Sequence, residues 1–247
     1  MNILLHRKEM VNMTMVYTLS GHYDTIPLTD TLTIADAAEL SHETIDRHIR
    51  SHPEEFGLLG RVRLPSNELR NLAGESFHRL NEAQAATLFG YLRNTAANRE
   101  LNMELQRQFG EVKFELYLRG QHRAKCNAAR QEVINLVRKR GMTKAEDVKC
   151  NNLAFHLAFG KDRNQYRRDN NIFGGKRSVD YMSIADLDAL KDAHNKIASM
   201  LQDGDDCEHI EASVMKQADI KAVPPKPATI HKSTVRRFVR KFIQFLQ

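Results

Sequence analysis

Tryptophan is absent from this sequence, and aromatic residues make up only 7% of it. The hydrophobic fraction, 41%, suffices for a core but not a generous one. Cysteine is scarce. Cys126, Cys150 and Cys207 are an odd number, far apart, with no CxxC spacing. That argues against a disulfide framework or a zinc site and for reduced thiols in a cytoplasmic protein. The run "CEH" at 207–209 offers two ligands, too few for a metal. No apolar run approaches the roughly 20 residues of a membrane span. The opening "MNILLHRKEM" has too short an apolar stretch for a signal peptide, and this end is expected to be weakly ordered.

Enzyme signatures are missing as well. There is no Gly-rich phosphate loop, GxSxG or HExxH. His48 and His52 are four apart but lack a third ligand, and His156, Asp162 and Asp169 include no metal-binding carboxylate pair. The expectation is a protein that is not an enzyme and carries no cofactor.

What is present is a modest positive excess, +6 over 247 residues, enough chain for one large domain or two small ones. Such a charge favours acidic partners, chiefly nucleic acid, where the basic residues cluster. The stretch "LTIADAAELSHETIDRHIRSH" at 32–52 reads as two short helices around a polar joint. Thr33, with Asp36 three residues on, suits the first N-cap and Ser41 the second, while Pro53 stops the second helix. Ala35 and Ala38 allow a close crossing, and Leu40, Ile45 and Ile49 bury it. The polar side of the second helix then carries His42, Thr44, Arg47 and Arg50, as a major-groove reading helix would. Glu39 stands where such joints favour glycine, and an ordinary helical hairpin in a core fits the same pattern.

Farther on, Val62 and Leu64 alternate with Arg61 and Arg63, and "SFHRL" alternates again. This predicts a β-hairpin, the wing of a winged helix, with Arg61, Arg63 and Arg79 on its outer face; a solvated sheet face is the plainer reading. Asn81 caps the next helix. A helix over 96–118 carries Leu101, Leu105, Phe109, Val112 and Leu116 as an apolar stripe, interrupted at Gly120 and followed by a basic helix to Gly141. That stripe either covers the first domain's core or forms a dimer seam. Capping pairs at Thr143/Glu146 and Ser183/Asp186 open two further helices. "AVPPKPATIHKS" reads as a semi-rigid linker to a basic, apolar-striped tail bearing Phe238, Phe242 and Phe245. The tail either folds back on its own domain, lies on a membrane surface or docks on another subunit. Nothing else in the chain points to a membrane.

The segment "SHETIDRHIRSH" resembles the recognition segment of the phage regulatory protein Rha family, with His42, Glu43, Ile45, Arg47 and Ile49 at matching spacing. Residues 79–116 are similar to the segment on the C-terminal side of the wing in that family: Leu80 to Leu88, an Arg-Asn-Thr joint at 93–95, and Phe109 to Glu111. Residues 150–204 resemble the C-terminal helical module of phage antirepressors. The resemblance implies a regulator carried by a phage or prophage and acting in a bacterial cytoplasm.

The expected fold is mainly α with a small β-hairpin: an N-terminal extension (1–30), a winged helix-turn-helix domain (31–95), a helical connector (96–141), a helical C-terminal domain (142–205), a linker (206–232) and an amphipathic helix (233–247). The expected DNA contacts are His42, Thr44, Arg47, Arg50, Arg61 and Arg63. The expected oligomer contacts are Leu101, Leu105, Val112, Leu116, Phe238, Phe242 and Phe245. The partner is double-stranded DNA or, alternatively, a repressor protein; a structural helical assembly that binds no DNA is the third reading.

Overall fold

A computed structural model describes residues 14–60 and 77–220. The first strand of the expected hairpin with Arg61 and Arg63, the proline linker, and the tail with Phe238, Phe242 and Phe245 lie outside the described residues.

The protein is mainly helical with a small three-stranded antiparallel sheet. Its described residues form two compact units, one of residues 14–20, 25–60 and 77–115, the other of 21–24 and 116–220.

The first unit opens with β1 (Tyr17–Thr18) and β2 (Pro27–Asp30), then α1 (Thr31–Ala37), α2 (His42–Ser51) and α3 (Pro53–Leu58). After residue 76 come β3 (Arg79–Leu80), α4 (Glu82–Tyr91) and the start of α5 (Ala96–Lys139). Asp30, not Thr33, caps α1: its carboxylate accepts the Thr33 N–H at 2.8 Å, so the helix starts earlier than the sequence suggested. Ser41 caps α2 as expected. Helix α2 ends at Ser51, ahead of Pro53, but Pro53 then opens α3, because a ring that fixes φ and lacks an N–H suits a first helical turn. At α4, Asn81 and Gln84 form a reciprocal capping box.

The sheet order is β1-β2-β3. Thr29 pairs with Leu80 and Asp30 with Arg79, so β3 joins the strand ahead of the helix pair. The other strand of the expected hairpin lies outside the described residues, so the pairing seen for β3 is the one with β2. Beneath the sheet, Ile34, Ile45, Ile49, Phe56, Leu80, Leu88, Leu101, Leu105 and Phe109 form one buried apolar cluster.

Helix α5 runs unbroken for 44 residues, through Gly120. A single glycine costs a helix only about 1 kcal/mol, less than the packing on either side returns. In the second unit, Cys126, Val133 and Val137 of α5 pack against α6 (Lys144–Phe159), α7 (Arg163–Asp169), α8 (Ile184–Gln202) and α9 (Cys207–Ile220). The capping pairs at Thr143/Glu146 and Ser183/Asp186 hold as read. The basic stretch after Gly160 contains α7, capped by Asp162, and the stretch expected to be linker is helical to Ile220. In α9, Ile210 and Val214 are buried in this core.

Candidate nucleic-acid interface

The candidate interface is α2. Its apolar side, Ile45 and Ile49, is buried, while Arg47 and Arg50 have side chains 69% and 72% exposed. The joint at 38–41 turns through Glu39, whose φ of 54° is a left-handed conformation that glycine usually supplies. Glutamate thus adopts at this joint the conformation for which glycine is favoured.

A polar cluster fixes the helix to the sheet. Asp46 is buried and its Oδ1 lies 2.8 Å from His78 Nε2. A carboxylate only accepts, so this contact places the proton on Nε2. The Arg50 guanidinium pairs with the other Asp46 oxygen. The His78 backbone N–H donates to Thr31 Oγ1 at 3.0 Å, and the same hydroxyl lies 2.9 Å from His42 Nε2. Three elements, the start of α1, helix α2 and the lead-in to β3, are thereby tied through five side chains.

This geometry sorts the expected contact residues. Arg47 projects outward and, among the described residues, pairs with Glu43 alone, one turn earlier at 3.4 Å. Arg50 projects outward but is anchored at Asp46. His42 is half-buried and hydrogen-bonded to Thr31, which ties its ring to the protein. Thr44 belongs to the cap, its hydroxyl 2.9 Å from Ser41 Oγ. Arg79, expected on an outer basic face, instead lies half-buried beside Tyr17 and Asp30. Burial pushes the Tyr17 hydroxyl and the Asp30 carboxyl above their ordinary values, with the Asp30 charge adding to the Tyr17 shift. His48 and His52 stack on Tyr91, with ring centroids 6.0 and 4.0 Å away.

The apolar stripe of α5 also divides. Leu101 and Leu105 are buried in the first unit's own core, and Val112 packs on its edge. Leu116 is half-buried, whereas Met103, Phe114 and Tyr117 of the same helix are at least 60% exposed. The sequence pattern hid these three because they fall off the stripe of period 3.6. It also gave no role to Thr31, Asp46 or His78; their convergence depends on the long-range pairing of β2 with β3.

No group of three or more potential metal ligands converges among the described residues, and none of their helices is long and apolar enough to cross a membrane. The chain matches no family model and no curated protein.

Proposed function

We propose that this protein is a sequence-specific, double-stranded DNA-binding regulator of phage or prophage genes, with α2 as the reading helix of a winged helix-turn-helix domain. The observation that carries this reading is the two-sidedness of α2: Ile45 and Ile49 buried, Arg47 and Arg50 exposed on a helix short enough to lie in a major groove. Strands on both sides of the helix pair support it, as does the resemblance of residues 42–49 to the Rha family. Arg47 reads a base edge, Arg50 a phosphate, and Arg61 and Arg63 belong to the wing. The protein acts as an oligomer, since one module reads few base pairs. With Leu101 and Leu105 used within the chain, the contact falls to Met103, Phe114 and Tyr117 and to Phe238, Phe242 and Phe245 of the tail.

One observation favours the alternative, an antirepressor that binds a repressor protein. Glu43 and Asp46 face Arg47 and Arg50 at i,i+4 and balance their charge along the helix. A binding assay with fragmented phage and host DNA over a salt series separates the two. Retention of specific fragments, falling steeply with salt, supports the DNA reading. No retention at low salt refutes it and favours the antirepressor reading.

A further inference from the structure

The second unit contains a cavity of about 30 Å³ at which α5, α6, α7, α8 and the turn at Ser178–Asp180 meet. Three guanidinium-bearing residues line it, Arg130, Arg163 and Arg177, and no carboxylate does. None of the three takes part in an ion pair among the described residues. Burial, and then the charges of Arg167, Arg130 and Arg177, hold the Arg163 guanidinium below its usual range.

Two side chains deep in the lining lack partners. His194 is 1% exposed and Ser178 3% exposed. Among the described residues neither His194 ring nitrogen nor Ser178 Oγ has a hydrogen-bond partner, and Arg130 Nε is likewise buried without one. The Leu190 carbonyl, one turn before His194, pulls on the imidazole without reaching hydrogen-bond geometry. Leaving a buried polar atom unsatisfied costs a protein about 1–3 kcal/mol. Three donors among these atoms, Arg130 Nε, Ser178 Oγ and one His194 nitrogen, face one basic cavity and describe a vacant acceptor position rather than scattered defects.

We propose that this cavity binds a phosphate group, as free phosphate or as the head of a small phosphomonoester. The guanidiniums supply the charge that a dianion needs and the fork geometry that matches its oxygens. Ser178 Oγ and one His194 nitrogen donate to oxygens that the arginines leave uncovered. The cavity is too small for a nucleoside or a sugar ring, so such parts of a ligand would lie outside, past the exposed Arg177.

Isothermal titration of the full chain with inorganic phosphate, in buffer free of other oxyanions, tests this. The expected result is saturable binding of one phosphate per chain, with the melting temperature rising with phosphate concentration. Arg163→Gln and Arg130→Gln should each weaken binding at least about tenfold, the loss of one charge-assisted hydrogen bond. Ser178→Ala, which removes only a hydroxyl, should also weaken binding, and it stands in if either arginine variant misfolds. Acetate should bind at least about tenfold more weakly than phosphate, since it carries half the charge. Absence of saturation by about 50 mM phosphate, binding unchanged in all three variants, or acetate binding as tightly as phosphate would each overturn the proposal.

Discussion

Replacing Asp46 with alanine should destabilise the first unit through groups that sequence patterning does not connect. The carboxylate is buried and serves two donors, His78 Nε2 at 2.8 Å and the Arg50 guanidinium. A hydrogen bond to a charged acceptor contributes about 1.5–3 kcal/mol. The Arg50 contact has one exposed end and adds under about 1 kcal/mol. His78 Nδ1 is already buried without a partner among the described residues, so losing Asp46 leaves the imidazole with no partner among them. The sum is about 2–4 kcal/mol. Urea unfolding followed by circular dichroism measures it, and a double-mutant cycle with His78→Ala should return a coupling of at least about 1 kcal/mol. Asp46→Asn keeps an acceptor for Nε2 and should lose less than Asp46→Ala. A loss below about 1 kcal/mol with no coupling would mean that the cluster is an ordinary surface pair and that something else fixes α2.

Arg47→Ala should weaken DNA binding by about 1–3 kcal/mol. Its thermal stability should barely change, because its pairing with Glu43 is exposed; wild-type affinity in a fluorescence-anisotropy titration would remove α2 from the interface. Burial first, with Arg130 adding to it, holds His194 down to about 4, against about 6.5 when unfolded. As pH falls from 6.5 to 4, the unfolded chain takes up this proton first. Stability should therefore fall across that window, by roughly 3 kcal/mol in all at the upper limit. The fall should be smaller in His194→Leu, and parallel stability–pH curves for the two proteins would refute this. Burial pushes the Cys126 thiol up to about 11 and the Cys150 thiol up to about 12, and raises Cys207 as well. All three should resist a thiol reagent at about pH 8 in the native protein and react after denaturation; rapid labelling of native protein would contradict their burial.

Local signals were legible in the sequence. Ser41, Asn81, Thr143 and Ser183 each cap the helix assigned to them, because a short polar side chain meets its acceptor role within three residues. The first helix was misplaced because Thr33 and Asp30 are both plausible caps, and the sheet decides between them by holding Asp30 extended. Gly120 looked like a break because propensity alone cannot see the packing that carries α5 through it. The pairing of β3 with β2 was invisible because alternation in "SFHRL" marks a strand without naming its partner. Cys150 and Cys207, far apart in the chain, have Sγ atoms 3.5 Å apart, a proximity set by the packing of α6 against α9. The basic cavity draws its residues from five elements, and each of its arginines reads in sequence as a solvated charge.

The cluster at Asp46 also sets an order in time. Thr31, His42, Asp46 and Arg50 lie within one short stretch, but His78 comes later in the chain. At about 5–20 residues per second, a ribosome adds His78 roughly 1.5–6 seconds after Arg50. Helices form far faster than that. Until then the synthesised chain offers Asp46 the Arg50 guanidinium but not the His78 donor. The last donor and the sheet pairing of Asp30 with Arg79 arrive together, so the nascent helix pair gains its full set of anchors in one late step.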